Sequence, residues 1–509
     1  MHRVILAGVI GLLALNAVSF LAGAWTLTRF PFELDYGEGI VLWQADRVLR
    51  PSEAYHPIDR YPYTVFHYPP VYHLLARLCR IVIDDPLVAG RVVAWVSALA
   101  VALFVGLIAK VGIEGRTKGG VAAAAMASLL VFHLPTIDWV PNMRVDVTAL
   151  AFSLLGLFVF LRCPGGRGAA VAGAAFVAAL FTKQSMIAAP GAALGVLLLT
   201  GRTREAATMV TVLAAGGGGL AGLLAVITGG EFLRHTVAYN ANPFDVAQLA
   251  GFMVTNVLGM NALVGLALAL PLTLQATRRH RAAVGDRSGM GGQTARRTAV
   301  LYFLTAFSVS FTAGKLGAWK NYFLEWNVAC CILIGLLLGR VLAGRRRWHR
   351  SATATAIVLI VGLVAFTHLG TTIRQWGIVA GRDALLNKMA DDASHALAVM
   401  RATPGRVFSD DMTLLMKAGR EVPWEPAIAT VLAAVGAWDE RPALDMITTR
   451  QFEVMILRYL DNTLFFSPAI RAAIDRAYTD AGGGAGRYRI LRPREVGAGR
   501  RDSGQNTRG

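Results

Sequence analysis

The sequence predicts a polytopic α-helical membrane protein, and its composition is the first ground for that reading. Of its 509 residues 55% are hydrophobic and only 16% are charged, with a mean hydropathy of +0.50; soluble domains carry more charge and less apolar surface. The second ground is a series of apolar runs, each rich in Leu, Ala, Val, Gly and Phe. The third is the placement of the basic residues. A net formal charge of +18 would suit a nucleic-acid binder, but here the arginines gather in short loops between apolar runs, the pattern that orients a protein in a bilayer. Nucleic acid is therefore not an expected partner.

The runs fall at 4–27, 88–113, 120–135, 146–161, 169–182, 186–200, 206–228, 251–274, 298–313, 327–343 and 352–370, about eleven crossings by length. Lys183-Gln184 interrupts the stretch from Ala169 to Thr200. That stretch is too long for one straight span and too short for two full ones, so a short helical hairpin is expected there. Loops 114–119, 162–168, 201–205, 275–297 and 340–350 hold 17 Arg and Lys between them, including Arg278-Arg279-His280-Arg281 and Arg345-Arg346-Arg347. The positive-inside rule places them, and the N-terminus, in the cytoplasm. The alternate loops, 28–87, 135–146, 183–185, 229–250 and 314–326, then face outward. The N-terminal run has the look of a signal peptide, but no small-residue cleavage site precedes the acids after it, so a retained first helix is expected. Gly216 to Gly219 lie inside an apolar run, where close helix packing is their expected purpose.

Composition changes after residue 370. Residues 1–370 read as the membrane module, 371–494 as a small extracytoplasmic α/β domain and 495–509, rich in Gly, Arg and Ser, as a disordered tail. Helical patterns at 382–402 and 426–437 alternate with strand-like 406–409, 452–457 and 488–491. Ser409-Asp410-Asp411 reads as a helix cap with first-turn acids. The four cysteines, Cys79, Cys163, Cys330 and Cys331, have neither a metal-ligand nor a disulfide spacing.

The polar groups lie on the outward side: Asp35, Glu38, Asp46, His67, Asp138, Arg144, Asp146, Lys183, Arg234, Lys315, Lys320 and Glu325. A transporter would place such groups near the bilayer midplane. Their one-sided distribution points to an interfacial reaction site, with a transporter or flippase and a non-catalytic assembly protein as the competing classes. The densest cluster is Phe32-Glu33-Leu34-Asp35-Tyr36-Gly37-Glu38-Gly39, directly after the first run. Carboxylates at a membrane boundary are costly unless paired or facing water, and flanking glycines let the backbone approach a ligand. The outer loop continues as an amphipathic helix from Ile40 to Leu49 and a Tyr- and Pro-rich segment that closes on His67-Tyr68-Pro69-Pro70. Tyr61, Tyr63 and Phe66 are expected to form an interfacial aromatic belt. Lys183, a lysine inside a short apolar hairpin, is expected in an aqueous pocket, while Arg144 and Asp146 are near enough in sequence to pair with each other.

In order and sidedness these residues resemble the integral-membrane GT-C glycosyltransferases that use polyprenyl-phosphate sugars, notably the bacterial dolichyl-phosphate-mannose-transferase-like and aminoarabinose-transferase-like proteins. The acidic motif after the first span carries the resemblance, with Tyr68-Pro69-Pro70, Arg144-Val145-Asp146, Lys183-Gln184, Lys320-Asn321-Tyr322-Phe323-Leu324-Glu325 and the small outer C-terminal domain. Members commonly show adjacent Asp-Glu, whereas here the acids are Asp35 and Glu38 with Tyr36-Gly37 between them.

The resemblance implies a GT-C-like fold and a multi-pass protein of the cytoplasmic membrane. It implies transfer of a sugar from a polyprenyl-phosphate donor to an envelope glycan, lipid or protein acceptor at the outer face, amid membrane lipids. Such transfer needs a base for the acceptor hydroxyl and cations for the departing phosphate. By the family's pattern Asp35 is the base. Glu38 positions the acceptor, orients Asp35 or replaces it, or else caps the helix that follows. Arg144, Lys183, Lys315 and Lys320 are the candidate phosphate-binding cations. His67, Tyr68, Asp146, Gln184, Asn321, Tyr322 and Glu325 are candidate substrate contacts. No cofactor or metal is expected, and Asp35 with Glu38 would be the ligands were Mg²⁺ or Mn²⁺ used.

Overall fold

The computed structural model describes residues 2–113, 118–134, 136–258, 290–343, 361–362, 383–482 and 486–495. The chain forms two compact units, Met1–Pro57 with Val65–Leu386 and Ile58–Thr64 with Asn387–Gly509.

The first unit is helical. Its elements are α1 (His2–Thr28), α2 (Gly37–Arg47), α3 (Pro51–Ala54), α4 (Val71–Cys79), α5 (Pro86–Gly112), α6 (Lys118–Leu130), α7 (Asp146–Arg162), α8 (Gly166–Leu180), α9 (Ala188–Leu199), α10 (Thr203–Val212), α11 (Gly219–Ile227), α12 (Glu231–Thr236), α13 (Val246–Met253), α14 (Met290–Ser310) and α15 (Leu324–Ala343). The expected apolar runs that fall on described residues are helical. Most of 251–274 and nearly all of 352–370 lie outside them. Among the described residues, Val4–Thr28, Pro86–Gly112, Thr203–Ile227 and Lys320–Arg340 are long and apolar enough to cross a bilayer.

Local chemistry sets several boundaries. α5 starts where the Asp85 carboxylate accepts from the amides of Leu87 (2.9 Å) and Val88 (3.1 Å), with Pro86 in the first turn. The run from Ala169 to Thr200 breaks into α8 and α9 around Lys183, the short hairpin that its length required. α15 is predominantly apolar and buried on nearly every side. A Cβ on Gly335 would stand 2.6 Å from the Ala127 methyl and 3.0 Å from that of Ala109, so its absence is what lets α15 lie against α5 and α6. The glycine run serves packing only in part. Residues Leu213–Gly218 make a π-helical turn between α10 and α11; Gly216 rests on Val177, while Gly218 and Gly219 meet no described neighbour.

Two expectations for the outer loop are corrected. α2 is buried from Gly37 through Ala45 instead of amphipathic, because the segments after it fold over both its faces. Nor do the three aromatics form a belt. Phe66 is fully buried, its ring 4.6 Å from Tyr55 and 4.8 Å from His73. Tyr61 and Tyr63 fold with the second unit, where the Tyr61 hydroxyl donates to Glu421 (2.9 Å) and the Tyr63 amide to the Pro423 carbonyl (2.7 Å).

The second unit is an α/β sheet of order β1-β2-β4-β3, with β1 (Val407–Ser409) parallel to β2 (Val454–Leu457) and antiparallel pairs joining β2 to β4 (Arg489–Pro493) and β4 to β3 (Tyr478–Asp480). Helices at 383–402, Met412–Lys417, Pro426–Ala434, Arg441–Thr448 and Pro468–Ala477 accompany it. Asp411 caps the helix after β1 by accepting from the Leu414 amide (3.1 Å). Asp410 is no first-turn acid. Its carboxylate accepts from the amides of Arg458 (2.9 Å) and Tyr459 (2.7 Å) and so ties the end of β1 to that of β2.

Candidate active site

Everything that follows lies in the first unit. The loop after α1 carries Asp35, and the first turn of α2 carries Glu38 three residues on, yet the two carboxylates meet different surroundings. Glu38 is fully buried against an equally buried Arg91, whose Nε and Nη2 reach its two oxygens at 2.8 and 2.6 Å. The Met143 amide (2.7 Å) and the Leu34 amide (2.8 Å) donate to the same carboxylate. Arg91 also donates to the carbonyls of Phe30 (2.5 Å) and Phe32 (2.7 Å). Glu38 thus binds the end of α1, the start of α5 and the 143–144 loop into one piece. A buried pair of this kind holds only while both partners and their hydrogen bonds are present.

Asp35 is the open carboxylate, with its side chain 32% exposed and ion-paired to Arg144. Sequence proximity suggested that Arg144 would pair with Asp146, but the structure pairs it with Asp35. Gly37 makes this possible, since a Cβ there would collide with the Arg144 guanidinium. That guanidinium also lies 5.0 Å from the Trp139 ring centre.

Asp146, at the first turn of α7, takes Lys183 instead. The ammonium is 2.5 Å from its Oδ1, and the Asn321 amide donates to the same oxygen at 2.7 Å. Burial would lower the Lys183 pKa, but the Asp146 carboxylate outweighs it and holds the pKa above the ordinary value. The ammonium sits 4.5 Å from the Tyr322 ring centre, and the Lys315 ammonium lies 5.8 Å from that same ring. Tyr68 is in this field too. Burial, then Asp146, pushes its phenol up to about 12, against the opposing pull of Lys183 and Arg144.

The structure therefore gathers Asp35, Arg144, Asp146, Lys183, Lys315, Tyr68, His67, Asn321 and Tyr322. Three cations stand against two carboxylates, which leaves the cluster net positive and suited to an anionic ligand. Gln184 contributes by bracing: its side-chain amide donates to the carbonyls of His67 (3.1 Å) and Thr236 (2.9 Å). Among the described residues two candidates, Lys320 and Glu325, make no hydrogen bond or ion pair with these groups. Glu325 is buried within the field of Lys183 and accepts from the Tyr302 hydroxyl (3.4 Å), which links the start of α15 to α14.

Reading the sequence missed Arg91, Gln44, His73, His235 and Asn240. For Arg91 there was a signal, a lone arginine inside an apolar run. The other four are positioned by contacts over long sequence separations: the Gln44 side-chain amide donates to the Val65 carbonyl (3.1 Å) and its oxygen lies 3.0 Å from His73 Nε2, the Phe66 amide donates to His235 Nδ1 (2.9 Å), and the Asn240 side-chain amide donates to the His67 carbonyl (3.1 Å). Among the described residues no group of three or more His, Cys, Asp or Glu is arranged to hold a metal. Of the two acids named as possible ligands, Glu38 has its oxygens occupied by Arg91 and two amides, and Asp35 faces Arg144.

No protein-family model and no curated protein matches this sequence. Solved structures do. ArnT from Cupriavidus metallidurans bound to undecaprenyl phosphate superposes with a TM-score of 0.59 at 15% identity, over 94% of this chain and 97% of that one. The Archaeoglobus fulgidus oligosaccharyltransferase, in complex with Zn and sulfate, matches with a TM-score of 0.53 at 14% identity, over 93% of this chain and 71% of that one. The archaeal oligosaccharyltransferase AglB from Archaeoglobus fulgidus, with an inhibitory peptide and a dolichol-phosphate, gives 0.52 at 12% identity, over 93% and 72%. The fold is accordingly the helical membrane fold of GT-C glycosyltransferases.

Proposed function

We propose that this protein is a membrane glycosyltransferase that moves a sugar from a polyprenyl-phosphate carrier to a cell-envelope acceptor at the outer face of the cytoplasmic membrane. The observation that carries this reading is the paired cluster. A partly exposed carboxylate, Asp35, is held by Arg144 beside a second pair, Lys183 with Asp146, and a third cation, Lys315, in a fold shared with a protein that binds undecaprenyl phosphate.

Asp35 is the group open enough to take a proton from an acceptor hydroxyl as it attacks the anomeric carbon. Arg144, Lys183 and Lys315 face the phosphate as the bond to the sugar breaks, and fixed cations in a partly dry site stabilise that departing charge without reorganisation. Glu38 and Arg91 keep the Asp35 turn in place. Tyr68, His67, Asn321 and Tyr322 line the same cluster and contact donor or acceptor, with Gln184 bracing His67. We further place residues 1–370 in the membrane with about eleven crossings, the N-terminus inside, and 371–494 as an extracytoplasmic domain. The test is transfer of radiolabelled sugar from a membrane lipid extract to an envelope acceptor by the purified protein. Transfer that Asp35→Asn reduces and the wild type sustains supports the reading; no transfer with any envelope lipid donor counts against it.

A further inference from the structure

Asp46 stands in the last turn of α2, about 12 Å along the helix from Glu38 in its first, and belongs to a charge cluster that the candidate active site does not use. Its carboxylate, about half exposed, has three arginines around it. Oδ1 lies 3.4 Å from Arg80 Nη1 and 3.7 Å from Arg77 Nη1, and Oδ2 lies 3.9 Å from Arg47 Nη1. Arg77 Nη1 also donates to the Asp46 carbonyl (3.4 Å). The cluster thus joins the end of α4 to the end of α2. One carboxylate has too few lone pairs to saturate three guanidiniums, and contacts of this length at a surface are weak. A net positive charge remains, with each arginine side chain about a third exposed.

α4 sets an apolar surface beside that charge. Its inner face is occupied: Tyr72, His73 and Ala76 are buried, the Tyr72 hydroxyl donating to the Gly90 carbonyl (2.9 Å) and His73 Nε2 lying 3.0 Å from Gln44 Oε1. An outer face in water would be polar. Instead Leu74, Leu78, Ile81 and Val82 are 41, 61, 78 and 81% exposed, at the i, i+4, i+7, i+8 spacing of one helical stripe. Bonds from the Ile81 amide to the Leu78 carbonyl (3.1 Å) and from the Val82 amide to the Cys79 carbonyl (3.2 Å) carry the winding past Cys79. Arg77, three residues after Leu74 and four before Ile81, borders the stripe. Cations along the edge of an exposed apolar helix face suit a bilayer surface, where the apolar side chains enter the acyl region and the arginines stay at headgroup level. Guanidiniums take phosphodiesters through paired N–H donors. A free anion meets the arginines alone, whereas a lipid meets the arginines and the stripe together.

We propose that Arg47, Arg77 and Arg80, with the stripe from Leu74 to Val82, form a binding site for an anionic phospholipid, its phosphodiester on the guanidiniums and its acyl chains along α4. Asp46 is the internal competitor for that headgroup. The site rests on the membrane fold and not on sugar transfer, so either reading can fail without the other. The test uses the full-length protein in nanodiscs, with a fluorophore on Leu78→Cys after Cys79→Ser and Cys163→Ser; the other two cysteines are buried. Quenching by brominated phosphatidylglycerol, set against brominated phosphatidylcholine at the same mole fraction, reads the preference. Both lipids should quench, with a preference for the anionic one of about tenfold or more, and Arg77→Gln or Arg80→Gln should each lower it about fivefold. Asp46→Asn should raise it by about as much, while Arg50→Gln, whose arginine pairs with Glu53 (3.0 Å), should leave it within about twofold. A merely structural ion pair gives another pattern, in which Asp46→Asn lowers the unfolding temperature and raises no preference. Equal quenching by the two lipids, no gain with Asp46→Asn, quenching by aqueous iodide but by neither lipid, or displacement of the anionic lipid by inorganic phosphate or by undecaprenyl phosphate overturns the inference.

Discussion

Asp35 and Glu38 stand three residues apart and carry different duties, and substitutions separate them. Asp35→Asn keeps size and hydrogen bonding but cannot take a proton, so turnover should fall by about a hundredfold or more while thermal unfolding in detergent stays near that of wild type. Glu38→Gln should do the reverse of a catalytic variant and lower the unfolding temperature first. It leaves the buried Arg91 guanidinium without a counter-charge, at a cost of about 3–5 kcal/mol. Equal unfolding temperatures for the two variants would contradict the division. Lys183→Ala should weaken donor binding by about 1.5–3 kcal/mol, the worth of a charge-assisted contact, as read from the dissociation constant for undecaprenyl phosphate. The sequence placed both acids in one motif but could not tell them apart, because the partners that bury Glu38 lie 53 and 105 residues away. The same holds for Arg144, which turned from its sequence neighbour Asp146 to Asp35 across 109 residues.

At the scale of elements, hydropathy located the helices well, since each apolar stretch has little choice in a bilayer but to satisfy its backbone internally. It located the surroundings of α2 poorly. Whether a helix has a wet face depends on what folds over it, and nothing in Ile40 to Leu49 records the chain that returns at 65–73. Strand Tyr478–Asp480 went unread for a similar reason: its three residues show no alternation and form a strand through pairing with β4. The β1–β2 junction makes a further prediction. Burial pushes the Asp410 carboxyl up to about 7 from an ordinary value of 3.8, despite the two amides that favour its charge. A pKa raised by folding gives stability that is whole below about 4 and is lost as pH climbs towards 7. Hydrogen exchange at 407–409 and 454–459, corrected for intrinsic rate, should show protection falling over that window, and Asp410→Asn should flatten the slope. Protection that rises with pH would reverse the assignment.

For the molecule as a whole, the order of motifs along the chain was enough to point to the GT-C fold, while overall identity to its structural neighbours is 15% or less. At that distance the comparison shows the fold alone, and the expected spacing and sidedness were read from bilayer thickness and loop charge more than from particular side chains. Single cysteines test the sidedness. Asp461, whose side chain is 93% exposed, should be labelled as Asp461→Cys in intact spheroplasts by a membrane-impermeant reagent, and Ser351→Cys should not; the opposite pattern would invert the map. The central claim is that paired charges around Asp35, Arg144, Asp146 and Lys183 transfer sugar from a lipid phosphate. Its most direct test is a radiolabelled polyprenyl-phosphate sugar supplied to purified wild type and to Asp35→Asn with an envelope acceptor extract. The account predicts label in the acceptor with wild type and about a hundredfold less with the variant at equal donor binding. Full transfer by Asp35→Asn would contradict it, as would movement of the intact lipid across vesicles with no glycosyl bond formed.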